Sequence, residues 1–215
     1  MSHSAIAGCR LYGFIDTGYL AGRSPAELTR ALVTGGVDII QVRAKELPHA
    51  QRVELALAVI GVAFRAGVPV IVNDDIDAAY ESGADGVHLG QEDWAATPRD
   101  RLANMRIVGI STHSLAQAQQ AERDGASYIG VGPVFPTGTK PNVKPVGLEL
   151  VKQVAGKVAV PFFAIGGINM KNLELVKTAG ATRVAVVSAI LQAPDVAQAA
   201  RKFKEKLGGP AVSQK

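Results

Sequence analysis

Charged and amide side chains alternate with aliphatic ones in the segment IIQVRAKE, residues 39–46. Gln41, Arg43 and Lys45 share one parity, and neighbouring residues of a β-strand point to opposite faces of the sheet. One face would therefore carry an amide, a guanidinium and an ammonium group. Because a buried charge needs a partner and no acid shares this face, we expect an anionic molecule to bind there. A salt-bridged interior is the alternative interpretation.

Carboxylates follow two other aliphatic runs, in the segments VNDD and HLGQED. If these runs are neighbouring strands, Asp74 and Asp93 would hang from adjacent strand ends about 4.8 Å apart. Two carboxylates that close repel each other unless a cation lies between them, and Mg²⁺ is commonly held by one or two carboxylates together with a substrate phosphate. The pattern therefore indicates a magnesium site at Asp74 and Asp93. Helix capping could account for one residue of Asn73, Asp74 and Asp75, but not for all three.

Two hydroxyls and an ammonium group occur together in GVGPVFPTGTKP, residues 130–141. Pro136 and Pro141 argue against a helix here. Thr137, Thr139 and Lys140 are therefore expected on a loop that follows an aliphatic run. Such a loop offers donors to anions on both of its sides.

Short β-branched runs alternate with helical patterns along the whole chain. Strict alternation predicts parallel strands joined by right-handed crossovers, and eight units in 215 residues predict a closed (β/α)8 TIM barrel. A doubly wound open sheet is the alternative. In such barrels active sites lie at the C-terminal ends of the strands, where the residues above would meet. The predicted strands are RLYGFID, VDIIQVRA, VPVIVN, GVHLG, RIVGIST, SYIGVGPVF, VPFFAIGG and RVAVVSAI.

The predicted helix boundaries carry recognisable signals. Several helical segments end in a glycine directly before the next strand, as in GGVDII and AGVPVIV, which is typical of a left-handed residue after a helix. Ser24-Pro25 and Ser114 predict capped helix starts. Thr97-Pro98 predicts another helix start, which would leave Asp93 free of a capping role.

The later strand ends add further candidates. GISTHS places Ser111 or His113 at the mouth of the barrel. The segments AIGGI and VVSAI would end strands seven and eight, where barrels often bind phosphate, and glycine lets backbone N–H groups approach an anion. A tight turn is the alternative for Gly166-Gly167. We expect His113 to pack or to form a loop hydrogen bond, and His88, inside strand four, to be structural.

Composition sets the broad class of the protein. The chain is 47% hydrophobic and 20% charged, as in ordinary globular proteins, and its net charge of +4 permits anionic partners without naming one. A single cysteine excludes an internal disulfide and favours a cytoplasmic location. The IAGC segment lacks the flanks of an export signal, and the longest near-apolar stretch is too short to span a bilayer. We expect one domain over residues 1–208 and a flexible tail over 209–215.

Seven motifs, in order along nearly the whole chain, resemble the thiamine phosphate synthase family: QVRAK, VNDD, GADGVHLGQED, the serine of GIS, GPVFPTGTK, AIGGI and VVSAI. The resemblance implies a (β/α)8 barrel that joins 4-amino-2-methyl-5-(diphosphomethyl)pyrimidine to 4-methyl-5-(2-phosphoethyl)thiazole. The products would be thiamine phosphate and pyrophosphate. Because cations neutralise the departing diphosphate, we expect a dissociative substitution without a covalent enzyme intermediate.

The resemblance also implies a role for each matched residue. Asp74 and Asp93 would bind Mg²⁺. The pyrimidine diphosphate would be held by Gln41, Arg43, Lys45, Asn73, Ser111 and Lys140, of which Lys45, Ser111 and Lys140 would act in catalysis. The thiazole phosphate would be held by Thr137, Thr139, Gly167, Val187 and Ser188. Ala44 and Asp75 depart from the residues that many relatives carry, which bears on packing and on the bracing of the diphosphate loop.

Three other functions compete with this interpretation. A thiazole tautomerase of the sister family would need no diphosphate site. A phosphate-binding barrel isomerase would not need both Asp74 and Asp93. A nucleic-acid-binding protein would show a basic face with base-reading partners, whereas RKFKEK, residues 201–206, is expected to be a solvated helix face. We therefore expect small-molecule partners, and neither nucleic acid nor a membrane.

Overall fold

A computed structural model describes residues 4–138 and 143–208 of the chain. Its strands are all parallel and close into a barrel in sequence order, with β1 paired to both β2 and β8. The predicted (β/α)8 barrel is therefore confirmed, and the open-sheet alternative is wrong. The strands are β1 (Leu11–Asp16), β2 (Ile39–Arg43), β3 (Val70–Asn73), β4 (Gly86–Leu89), β5 (Ile107–Thr112), β6 (Tyr128–Val131), β7 (Phe162–Ile165) and β8 (Val184–Ala185).

Helices surround the barrel and connect its strands. Short 3-10 turns at Thr17–Tyr19, Phe64–Ala66 and Arg99–Leu102 supplement them. Within the described residues, no helix is both long and apolar enough to cross a membrane. The helices are α1 (Ser4–Ala7), α2 (Pro25–Thr34), α3 (His49–Ala63), α4 (Ile76–Ser82), α5 (Gln91–Ala96), α6 (Leu115–Arg123), α7 (Gly147–Lys157), α8 (Leu173–Thr178), α9 (Ser188–Leu191) and α10 (Val196–Lys206).

Side-chain parity separates two apolar layers, as the alternating sequence of β2 predicts. Ile40 and Val42 pack in the layer between the barrel and the helices, whereas Ile39 packs inside the barrel. Gln41 shares the inward parity of Ile39 and is almost fully buried. The barrel interior is filled largely by aromatic rings, including Tyr12, Phe14, Tyr128 and Phe163. These rings form the floor beneath the C-terminal mouth.

Most helix-boundary signals are confirmed. The glycines that precede the next strands have positive φ, namely Gly36, Gly67, Gly83, Gly125 and Gly180, as a left-handed residue after a helix requires. The Ser114 hydroxyl accepts from the backbone N–H of Gln117 at 3.2 Å. Ser24 precedes α2, but its side chain forms no capping hydrogen bond.

Two local predictions are wrong, and a third is only partly correct. Thr97 ends α5 instead of starting a helix, and Pro98 precedes the 3-10 turn that follows. The eighth strand is shorter than RVAVVSAI, because Ser188 already begins α9. The solvated-face prediction for RKFKEK is only partly correct: Lys202, Glu205 and Lys206 are exposed, whereas Phe203 and Lys204 are buried and Lys204 forms an ion pair with Asp38. The tail at 209–215 lies outside the described residues, so its flexibility and the domain boundary stay predictions.

Candidate active site

An open cavity lies at the C-terminal ends of the strands. Its floor is aromatic, and its rim carries polar groups from several strands. The structure brings eight of the sequence-predicted residues to this cavity: Gln41, Arg43, Asn73, Ser111, Thr137, Gly167, Val187 and Ser188. Thr139 and Lys140 lie outside the described residues.

Arg43 has an acidic partner that the sequence analysis missed. Its Nη1 donates to Asp16 Oδ2 at 2.7 Å, and the two residues are aligned in the β1–β2 register. The Asp16 side chain is 2% exposed and that of Arg43 is 16% exposed. The expectation that no acid neutralises this cation is therefore wrong. The pair nevertheless orients the guanidinium, which lines the cavity.

Lys45 and Asp74 lie at the edge of the site, and both are partly exposed. Lys45 Nζ lies 3.3 Å from Asp74 Oδ2, which also accepts from Asn73 Nδ2 at 2.6 Å. Asp74 has a φ of 64°, a left-handed conformation that is uncommon for a non-glycine residue. Strained residues of this kind cluster at functional sites. The ammonium, carboxylate and amide thus form one contiguous polar cluster.

Asp74 and Asp93 line a second, more open groove rather than the central cavity. Asp93 belongs to the first turn of α5 and not to the end of a strand, so the expected interstrand spacing does not apply to it. Arg52 and Arg101 line the same groove. Two carboxylates on one groove suit Mg²⁺ when substrate oxygens complete its coordination. In the described ranges, no group of three or more His, Cys, Asp or Glu residues could hold a metal without such help.

Asp75 caps α4, which accounts for one acidic residue of VNDD. Its Oδ1 accepts from the Ala78 backbone N–H at 2.9 Å, while Oδ2 contacts His49 at 3.0 Å and Arg52 at 2.8 Å. Burial by itself would raise the pKa of Asp75, but the hydrogen bonds from Ala78, His49 and Arg52 lower it overall. Conversely, hydrogen bonds to Asp75 and Glu81 raise the pKa of exposed His49. This cluster braces the groove that contains Asp74.

Gly166 and Gly167 have two structural reasons to be glycine. Both have positive φ, of 100° and 64°. A Cβ on Gly166 would lie 2.4 Å from Pro133 Cβ, and one on Gly167 would lie 2.5 Å from the Pro136 carbonyl oxygen. These values fit the tight-turn alternative, and phosphate binding at Gly167 stays a prediction. Because the same contacts bring the β6 loop against the end of β7, the turn also shapes the cavity wall.

The two histidines at the site have different surroundings. His113 Nδ1 contacts the Gly132 carbonyl oxygen, which confirms the expected loop hydrogen bond. His88 is buried, but it also contacts a side chain of the cavity lining, because its Nε2 lies 2.9 Å from Ser111 Oγ. Its Nδ1 lies 3.0 Å from the hydroxyl of Tyr128. Sequence patterns did not indicate this contact, because it joins three different strands.

Fold and site together define a (β/α)8-barrel protein with a pocket at the C-terminal ends of its strands, where Arg43 is paired with Asp16. The chain matches the family model described as thiamine monophosphate synthase over residues 11–190. It therefore belongs to that family, as the sequence motifs indicate.

Curated relatives and a solved structure agree with this assignment. The chain is 44% identical over 205 residues to the thiamine-phosphate synthase of Chloroflexus aurantiacus, covering 95% of each chain. It is 44% identical over 197 residues to that of Moorella thermoacetica, covering 91% of this chain and 94% of the relative. The thiamine phosphate pyrophosphorylase structure from Pyrococcus furiosus superposes with a TM-score of 0.82 at 33% identity, covering 94% of this chain and 98% of that one. None of these relatives supports the tautomerase alternative.

Proposed function

We propose that this chain joins the diphosphomethyl-aminopyrimidine to the thiazole phosphate and releases pyrophosphate. Family membership over residues 11–190 supports the proposal. The observation that carries it is that Arg43 and Asn73 line the central cavity, while Asn73 also contacts Asp74, which pairs with Lys45.

The rim side chains Arg43 and Lys45 would hold the diphosphate while its bond to the pyrimidine methylene carbon breaks. Asp16 fixes the Arg43 guanidinium by a 2.7 Å contact, so the cation is oriented before substrate arrives. Lys45 would shift from Asp74 toward phosphate oxygens, to which its three ammonium protons can donate. Lys140 would add a further cation from the β6 loop. Preorganised cations act most strongly where charge develops during the reaction.

Asp74 and Asp93 would hold Mg²⁺ at the groove beside this rim. The donor set fits, because both carboxylates line the groove and phosphate oxygens can complete an oxygen coordination shell. When bound, Mg²⁺ would neutralise charge on the leaving diphosphate. Asn73, which donates to Asp74 at 2.6 Å, would orient that carboxylate.

The opposite side of the cavity would hold the thiazole phosphate. Val187 and Ser188 line the cavity at the start of α9, where backbone N–H groups lack partners within the helix. Gly167 and Thr137 complete this wall, with Thr139 beyond the described residues. Held there, the thiazole nitrogen would attack the methylene carbon after the carbon–oxygen bond breaks. The aromatic floor would limit the entry of water, which would otherwise trap the carbocation.

One incubation tests this function. Both substrates are mixed with the purified protein, with Mg²⁺ or with excess chelator, and thiamine phosphate and pyrophosphate are quantified. We expect equimolar products that require Mg²⁺. Failure to form thiamine phosphate under any metal condition would refute the function, whereas equal rates in chelator would refute only the magnesium site.

We also propose a cytoplasmic location and a single folding unit over residues 1–208. Cys9 is buried, and burial raises the pKa of its thiol to about 11, as suits an unreactive cysteine in a reducing compartment. Fractionation of the source cells with an activity assay tests the location. Limited proteolysis tests the unit: a stable fragment that ends well before residue 208 would contradict it.

A further inference from the structure

A continuous line of hydrogen-bonding side chains crosses the floor of the cavity. Gln41 Nε2 donates to the Tyr12 hydroxyl at 2.9 Å, and that hydroxyl lies 2.8 Å from the hydroxyl of Tyr128. Tyr128 reaches His88 Nδ1 at 3.0 Å, and His88 Nε2 reaches Ser111 Oγ at 2.9 Å. We call these five residues the relay. Two cavity-lining groups, Gln41 and Ser111, form its ends.

The relay has a direction, set by the number of protons that each group can donate. Tyr12 accepts from Gln41, so its single proton can go to Tyr128; the opposite orientation would leave that proton without an acceptor in the relay, which is costly in a buried site. Tyr128 then donates to His88 Nδ1. A neutral imidazole that accepts at Nδ1 carries its proton on Nε2 and donates it to Ser111. The Ser111 proton is thereby directed away from His88 and toward the cavity.

Two observations show that the middle of the relay is a built feature. Tyr12 and Tyr128 are fully buried, and burial raises the pKa of each hydroxyl far above its ordinary value, so both stay neutral single-proton donors. Gly109 of β5 leaves the space that the contact needs. A Cβ at this position would lie 2.2 Å from Tyr128 Cζ and 2.5 Å from His88 Nδ1.

We propose that the relay sets the hydrogen-bonding polarity of the pyrimidine site and so selects an aminopyrimidine over its oxo analogue. The inference rests on the proposed function. Ser111 presents a donor, which suits a ring nitrogen. Gln41, whose amide nitrogen is engaged by Tyr12, presents its carbonyl oxygen, which suits the exocyclic amine. A 4-oxo pyrimidine places an acceptor where the amine was, and rotating the Gln41 amide to meet it would break the relay.

Tyr12, Tyr128 and His88 are thus positioning residues that act through Gln41 and Ser111. Removing the Tyr128 hydroxyl would free His88 to carry its proton on either nitrogen. It would also free Tyr12 to donate to the Gln41 oxygen, which would let the amide rotate. Both ends of the relay would then lose their fixed polarity.

The first test reads the histidine tautomer directly by ¹⁵N NMR of the free protein. We expect the wild-type His88 resonances to show a proton on Nε2, and Tyr128→Phe to show a mixture or a proton on Nδ1. A wild-type proton on Nδ1, or an unchanged tautomer in Tyr128→Phe, would overturn the inference. Because this measurement involves no turnover, it is independent of whether the proposed reaction occurs.

The second test compares inhibition constants of the 4-amino and 4-oxo pyrimidine monophosphates. Wild-type protein should prefer the amino compound by about 10- to 100-fold, since an unmatched polar group costs that much. Tyr128→Phe should reduce the preference at least fivefold while the KM for the thiazole phosphate is unchanged. An unchanged preference in Tyr128→Phe would overturn the inference.

Two further variants make this test secure. Tyr12→Phe breaks the next link and should reduce the preference in the same way, which provides a reading if Tyr128→Phe does not fold. Tyr80→Phe is the matched control, because it also removes one tyrosine hydroxyl, which donates to the Arg101 carbonyl at 2.7 Å outside the cavity lining. A loss of preference in Tyr80→Phe as large as that in Tyr12→Phe would overturn the assignment to the relay. Melting curves establish that each variant is folded.

Discussion

Replacing Asp16 with asparagine would remove the charge that neutralises Arg43 while conserving the shape of the side chain. The Asp16 side chain is 2% exposed and its oxygen lies 2.7 Å from the guanidinium. At an effective dielectric constant of about 20, the attraction over this distance is about 6 kcal/mol. Desolvation offsets much of that value. Removing one partner of a buried pair typically costs about 3–5 kcal/mol, and the partial exposure of Arg43 places the expected loss near the lower end, at about 3 kcal/mol.

Denaturant unfolding and thermal melting measure this loss. For a domain of this size, a loss of about 3 kcal/mol corresponds to a fall in Tm of roughly 6–12 °C. The double variant Asp16→Asn with Arg43→Met supplies the critical comparison, because it removes the cation that would be left unpaired. We expect it to be more stable than Asp16→Asn alone by at least about 1 kcal/mol. The reasoning fails if Asp16→Asn is as stable as wild type, or if the two changes simply add.

Other parts of the site give predictions of the same kind. Asp74→Ala should lower turnover by about 100- to 1000-fold with an unchanged circular dichroism spectrum, because the carboxylate that we propose binds Mg²⁺, and that pairs with the Lys45 ammonium, is lost; near-normal turnover would remove Asp74 from the mechanism. The pKa of His49 should exceed its ordinary value of 6.5 in an NMR titration and should fall in Asp75→Asn. Because the folded-state pKa is raised, His49 stabilises the fold at pH values below its unfolded-state pKa. This contribution is lost as the pH rises through the folded-state pKa. Gly167→Ala should destabilise the fold by about 1–3 kcal/mol in a denaturant titration, because its φ of 64° and the nearby Pro136 carbonyl leave no strain-free place for a Cβ; an equally stable variant would contradict the assigned packing.

The barrel itself was predictable, because its signals are local. Alternation in β2 placed Gln41 and Arg43 on the inward face, and the helix-ending glycines placed the strand starts. Both kinds of signal depend only on neighbouring residues in the chain. The placement of Asp93 at a strand end was wrong, and this error also has a local cause. In HLGQED, α5 begins after Gly90, without a side-chain cap or a proline to mark its start, so the sequence did not indicate it.

What the sequence could not supply were side-chain partners on other strands. Asp16 and Arg43 are 27 residues apart in the sequence, and they meet only because β1 and β2 pair in this register. Tyr12, Tyr128 and His88 come from three strands, and each by itself resembles an ordinary core residue. The first contact depends on strand register and the others on the closure of the barrel, and none follows from a spacing along the chain. Asp16 could have been identified by taking the inward-facing Arg43 and looking for an acidic residue at the same level of the neighbouring strand.

The central claim is that one rim binds both substrates, with the diphosphate at the cationic side. A crystal structure with thiamine phosphate, pyrophosphate and Mg²⁺ tests it most directly. We expect pyrophosphate oxygens within hydrogen-bonding distance of Arg43 and Lys45, Mg²⁺ on Asp74 and Asp93, and the thiazole phosphate beside Gly167 and Ser188. Pyrophosphate bound away from Arg43 and Lys45, or both phosphate groups on the same side of the cavity, would contradict the claim.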